Sequence, residues 1–201
     1  MPVPFSRREF LQSGSVAVYA LAATGEAAAA AAESTSAATR ARVRIKVNGT
    51  VHAADLESRV TLLDYLHDRL ALTGTRKGCN EGACGTCTVL IDGKRMNACL
   101  TLAAQCDGRE VRTVEGLAEG DNLHPVQQAF IDHDAFQCGY CTSGQLVSAV
   151  ACIEEGHAGS EAEVREWMSG NLCRCSCYPQ ITAAVLDAAQ RVKSFRTEGE
   201  A

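Results

Sequence analysis

The chain has 201 residues, 46% hydrophobic and 21% charged, with a formal net charge of -5, which suits one or two small globular domains and excludes a disordered tail. Lys and Arg form no run beyond short pairs, so no basic field is present to draw nucleic acid. Eleven cysteines, all between Cys79 and Cys177, are the unusual quantity, and they direct the search for function to thiol chemistry.

Residues 1–41 read as a targeting segment and linker. Arg7-Arg8 stands ahead of Phe10-Leu11, the mildly apolar "SVAVYALAATG" follows, and "EAAAAAAE" offers small residues for cleavage among Ala27 to Ala32. The order is similar to a twin-arginine export signal, with Gln12 where a lysine is common, and it predicts a periplasmic protein. The apolar stretch is too short to remain as a membrane-spanning anchor, so no stable anchor is expected.

From Arg42 the alternation "RVRIKVNGTVHAADL" puts Val43, Ile45 and Val47 on one face of a hairpin that turns at Asn48-Gly49. "TLLDYLHDRL" predicts a helix, with Thr61 and Asp64 at capping-box spacing and Leu62, Leu63, Leu66 and Leu70 as a core stripe. The glycine-rich loop "KGCNEGACGTC" spans residues 77–87. A second hairpin turning at Asp92-Gly93 follows, and "REVRTVEGL" supplies a further strand. Residues 42–116 thus make a small α+β domain. Residues 122–195 change character: "HPVQQAFIDHDAF", "TSGQLVSAVACIEEG", "SEAEVREWMSG" and "PQITAAVLDAAQRVKSF" predict a four-helix domain. Pro125 and Pro179 suit first turns, Ser160 and Glu163 form a second capping box, and Gly156 and Gly170 end helices.

Spacing decides the chemistry. Cys79-x4-Cys84-x2-Cys87, with Cys99 returning from the hairpin, is the ligand pattern of a plant-type [2Fe-2S] cluster. Gly78, Gly82 and Gly85 have no Cβ, so they can take positive φ and let backbone N–H groups approach sulfur. A structural zinc site would show two short knuckles instead of this loop. Structural disulfides fit poorly with a signal for exporting a protein already folded in a reducing compartment. A second thiol set, Cys138-x2-Cys141 and Cys173-x-Cys175, would join two helix ends around another four-thiolate site.

"GCNEGACGTCTV", "NACL", "QCGYCTSGQ" and "NLCRC", in this order, resemble the small iron-sulfur subunit of the xanthine dehydrogenase and aldehyde oxidase family of molybdenum hydroxylases. With the export signal, the chain is most similar to the periplasmic aldehyde oxidoreductase type. The resemblance spans residues 42 to about 195. It implies a ferredoxin-like (β-grasp) domain with one [2Fe-2S] cluster on Cys79, Cys84, Cys87 and Cys99, then an all-α domain with a second on Cys138, Cys141, Cys173 and Cys175. It also implies that Gln137 lies against the molybdopterin of a large partner subunit, and that a flavin (FAD) subunit is often present. Electrons would run from molybdenum through the helical-domain cluster, then the ferredoxin-like cluster, to flavin or an external acceptor. Where family members commonly continue "CRC" with Thr-Gly-Tyr, this chain has Ser176-Cys177-Tyr178, which leaves Cys175 and Cys177 both as candidates for the last ligand.

The remaining residues have structural readings. Cys106 and Cys152 fall outside both patterns and read as small buried hydrophobes. The five histidines, His52, His67, His124, His133 and His157, form no metal spacing and read as surface or capping groups, while Trp167 and Met168 read as core. A cluster with four thiolates relays electrons and has no open position for an organic substrate, so catalysis is expected on a partner. Two other classes stand beside this reading: a stand-alone ferredoxin-like carrier, which would not need a second cluster domain, and a metal- or disulfide-stapled binding module.

Overall fold

In the computed structural model, which describes residues 39–199, strand β1 (Arg40–Val47) pairs with β2 (Thr50–Glu57) in the hairpin that alternation predicts. Asn48 and Gly49 take φ of 47° and 84°, the primed turn whose twist matches the strands. Val43, Ile45 and Val47 are buried, each burial contributing about 1.5–3 kcal/mol, while Arg42, Arg44 and Lys46 face water. The twin arginine, the apolar stretch and the cleavage region lie outside the described residues.

Helix α1 (Leu62–Asp68) starts where Thr61 Oγ1 accepts the Asp64 N–H at 3.1 Å, and it buries Leu62, Leu63 and Leu66. Strands β3 (Thr88–Ile91) and β4 (Lys94–Asn97) form the second hairpin, and β5 (Glu110–Arg112) completes a five-stranded mixed sheet of order β2-β1-β5-β3-β4. β5 runs parallel to β1 and antiparallel to β3.

All four side chains of β3 are buried, and the strand's period of two explains how. Val89 and Ile91 join a core with β1, α1 and Val111. Leu90 points the other way, into a second core with Val126, Phe130, Val147, Val150, Val164 and Val185. The helices therefore close the opposite face of the same strand.

Those helices are α2 (Pro125–Asp132), α3 (Thr142–Glu154), α4 (Glu161–Trp167) and α5 (Tyr178–Gly199). His124 caps α2, its Nδ1 accepting the Val126 N–H at 3.2 Å while Gln127 Oε1 accepts the His124 N–H at 2.9 Å. Ser160 caps α4 through the Glu163 N–H at 3.3 Å. α3 is buried at every position from Gly144 to Cys152, as an apolar helix at the centre of a bundle must be. Cys106 and Cys152 are both buried.

One expected core residue is elsewhere. Met168 is buried, but Trp167 is 39% exposed, because it ends a short helix whose only buried residue is Val164. Its ring stacks on His157 at 3.6 Å between centroids, and the Arg95 guanidinium lies 5.4 Å from its centre. Arg95 also donates to Trp167 O at 2.6 Å and pairs with Glu155, which ties β4 to α3 and α4.

Candidate metal centres

The loop before β3 curls because Asn80, Gly82 and Gly85 take φ of 60°, 77° and 67°. Gly78 does not take a positive φ; it is required for space, since a Cβ there would stand 2.8 Å from Cys84 Sγ. The curl aims backbone donors at sulfur. Glu81 N lies 3.4 Å from Cys79 Sγ, and Cys79 N lies 3.4 Å from Cys84 Sγ. The Glu81 N–H is the main reason the Cys79 thiol falls to about 7, with the neighbouring Cys84 thiol adding to it.

Cys87 and Cys99 meet by extension of the β3–β4 register. Thr88 pairs with Asn97, the Ala98 N–H donates to Cys87 O at 3.2 Å, and Cys99 follows just past the end of β4. Both residues are buried. Burial pushes the Cys87 thiol up to about 12, and contact with Cys99 also bears on it. The loop thus brings Cys79 beside Cys84, and the hairpin brings Cys87 beside Cys99.

The second set repeats that arrangement between helix ends. Gly139, at φ 77°, turns the chain between Cys138 and Cys141, and Cys141 is the N-cap of α3. Ser176, at φ 63°, turns it ahead of α5. The Cys138 thiol is lowered first by the Tyr140 backbone N–H and then by the Cys175 thiol. The Cys141 thiol is raised to about 12, chiefly by burial, and touches Cys173. Here Cys175 neighbours Cys138, while Cys173 neighbours both Cys141 and Cys177.

Cys177 is buried beside this set. Its N–H lies 3.5 Å from Cys173 Sγ and its thiol touches Cys173, whereas the thiol that meets Cys138 belongs to Cys175. Among the described residues no three His, Cys, Asp or Glu side chains converge as ligands of one metal ion. A single zinc draws four sulfurs to about 2.3 Å from one point.

Both thiol sets border one cleft of about 550 Å³, lined among others by Cys79, Cys84, Cys138, Cys141, Cys173 and Tyr178. Tyr140 Oη crosses it to donate to Lys77 O at 2.7 Å. Gln137 is exposed at the bend just before Cys138. Sequence reasoning did not single out Tyr140, Asn171 or Gln145 as linking groups, although each stands within a quoted cysteine motif; their partners lie 26 to 86 positions away along the chain.

Comparison with known proteins decides the family. Residues 38–137 match the 2Fe-2S iron-sulfur cluster binding domain, and residues 113–186 match the [2Fe-2S] binding domain. The chain is 51% identical over 164 residues to the aldehyde oxidoreductase iron-sulfur-binding subunit PaoA of Escherichia coli (strain K12), covering 74% of this chain and 72% of that one. The chain belongs to the iron–sulfur subunits of the molybdenum hydroxylases. The subunit is also 48% identical over 147 residues to the nicotine 6-hydroxylase small subunit of Paenarthrobacter nicotinovorans, covering 73% of this chain and 88% of that one.

Solved structures agree. The subunit superposes on quinoline 2-oxidoreductase from Pseudomonas putida 86 with a TM-score of 0.69 at 46% identity, over 76% of this chain and 97% of that chain. It superposes on the aldehyde oxidoreductase from Desulfovibrio desulfuricans ATCC 27774 with a TM-score of 0.73 at 39% identity, over 76% of this chain and 17% of that one. In the latter the same fold forms part of a far longer chain. The subunit is an electron-transfer component of an oxidoreductase complex.

Proposed function

We propose that the subunit holds two [2Fe-2S] clusters, one on Cys79, Cys84, Cys87 and Cys99 and the other on Cys138, Cys141, Cys173 and Cys175, and relays electrons out of a partner that oxidises an aldehyde. The observation that carries the ligand assignment is the backbone that aims the N–H groups of Cys79, Glu81 and Cys177 at thiol sulfurs while the β3–β4 register sets Cys87 beside Cys99. When bound, a [2Fe-2S] cluster supplies one-electron transfer and, with four thiolate ligands, leaves no position for substrate. The protein's part is to hold thiolates. Backbone N–H groups of Cys79 and Glu81 point at sulfur, buried Cys87 and Cys99 keep water from one side, and the Cys177 N–H supports Cys173. In this reading residues 42–116 are a ferredoxin-like β-grasp domain and residues 122–195 a four-helix domain, which the two separate hydrophobic cores support.

One side of the second thiol set reaches the surface at Cys138. Cys138 and Gln137 are exposed, and so are the large apolar residues Phe136, Tyr140, Leu172 and Tyr178 nearby. Clustered exposed apolar groups mark a protein contact, so this surface takes the large molybdopterin-binding subunit, with Gln137 toward the pterin. The first set then serves an FAD-binding subunit or an external acceptor. Arg7-Arg8 directs the loaded protein to the periplasm by the twin-arginine route. Purification of the native complex with metal and cofactor analysis tests all of this: about four irons per subunit, molybdenum on a larger partner and two distinct EPR signals are expected. Stoichiometric zinc without iron, or a subunit that purifies alone and fully active as a carrier, would refute it.

A further inference from the structure

The two thiol sets are tied together at a point where neither uses a thiol. The Leu172 N–H donates to Cys84 O at 3.0 Å, so a single residue and one hydrogen bond separate Cys84 from Cys173. Asn171 supports that bond from both sides. Its Nδ2 donates to Gly85 O at 2.9 Å and lies 3.4 Å from Thr88 Oγ1, while its own carbonyl accepts from Gln145 Nε2 of α3 at 3.0 Å. Gln145 is 1% exposed and Asn171 6%.

The surrounding backbone packs closely around these amides. A Cβ on Gly85 would stand 2.3 Å from Gly170 O and 2.8 Å from Asn171 Nδ2. One on Gly144, the residue before Gln145, would stand 2.3 Å from Gly85 O. Two glycines thus let α3 and the 170–172 loop close directly on the first cradle. A buried amide costs about 1–3 kcal/mol unless its bonds are made, so an apolar seam would hold the halves together at least as well. What directional bonds add is a defined distance, because N–H···O contacts hold within a few tenths of an ångström.

We propose that Asn171 and Gln145 are positioning residues that set the separation of the two thiol cradles, and through it the coupling between the centres they hold. The proposal rests on the ligand assignment above. It is tested in the full subunit purified with its own partners, fully reduced, by the dipolar splitting and cross-relaxation between the two cluster EPR signals. Dipolar coupling falls with the cube of separation, so the readout follows distance and not fold stability. Asn171→Asp sets a carboxylate oxygen against Gly85 O in place of a donor; Gln145→Leu removes the donor to Asn171 O at similar volume. Each variant is expected to keep full iron and both signals while its splitting becomes measurably smaller than that of the wild type. Glu161→Gln, at the exposed pair with Arg165, should leave it unchanged. Unchanged splitting in both variants at full iron overturns the proposal. So does loss of iron from either cradle, since the amides would then belong to the cradle itself. A wild-type complex with only one kind of [2Fe-2S] signal would instead overturn the ligand assignment, a failure distinct from that of the clamp.

Discussion

Gly144→Ala sets local helix preference directly against tertiary packing. Gly144 lies in the first turns of α3, where Ala is favoured over Gly by about 1 kcal/mol, and its φ carries no left-handed requirement. By helix propensity alone the variant would be more stable. The structure says otherwise. The added Cβ would meet Gly85 O at 2.3 Å and both Thr86 Cα and Thr86 O at 2.9 Å, all backbone atoms that no rotamer change can move. Ordinary contact begins near 3.4 Å, so α3 must withdraw by about an ångström from the loop that carries Cys84 and Cys87. Overpacking of this kind costs about 1–3 kcal/mol, and an unyielding backbone on the other side puts this case at the upper end. Net of the propensity gain, about 2 kcal/mol is lost, which at about 2–4 °C per kcal/mol lowers the melting midpoint by about 4–8 °C. The assay is thermal unfolding of the cluster-loaded subunit, followed by circular dichroism and by the cluster absorption. Gly170→Ala, where a Cβ meets nothing within 4 Å, is the control and should shift the midpoint little. A Gly144→Ala protein melting at or above the wild-type midpoint with full iron would refute the packing argument.

Three further outcomes follow from the same structure. Cys175→Ser should abolish the EPR signal of the second centre and spare the first, whereas Cys177→Ser should leave both nearly unchanged, since the thiol that meets Cys138 is that of Cys175; the opposite result would move the last ligand by two residues. Hydrogen bonds from Arg191, and after it from His133, hold the Asp187 carboxyl below the usual carboxylate range, and Arg191 also pairs with Asp132. Because the folded state depresses Asp187, its contribution is present above the ordinary carboxylate value near pH 4 and is lost as pH falls below it. Wild type should therefore exceed Asp187→Asn in urea midpoint at pH 7, and a gap that stayed constant down to pH 2 would contradict the assignment. Replacing Arg7 and Arg8 by Lys should leave iron-loaded, assembled enzyme in the cytoplasm, as cell fractionation with activity staining would show; normal periplasmic levels would refute the export reading.

Much of this molecule is legible along the chain because the forces involved act between near neighbours. Alternation placed Val43, Ile45 and Val47 inside, Asn48-Gly49 and Asp92-Gly93 turned the hairpins, and Thr61 and Ser160 started helices, each through bonds that reach only two or three residues. The cysteine spacings marked thiol-rich loops for the same reason, since a loop's ability to curl around sulfur depends on its own glycines. Trp167 shows where such reading stops: a large ring next to apolar residues reads as core, yet its position at the end of a short helix leaves it at the surface against His157 and Arg95. Tertiary structure alone decided that β5 inserts between β1 and β3, that Leu90 faces a different core from its neighbours, and that Cys138 meets Cys175 while Cys141 meets Cys173. It also decided that Asn171 and Gln145 join the two cradles. Those contacts link residues tens of positions apart, so they depend on how whole elements pack against one another, which no short window of sequence contains.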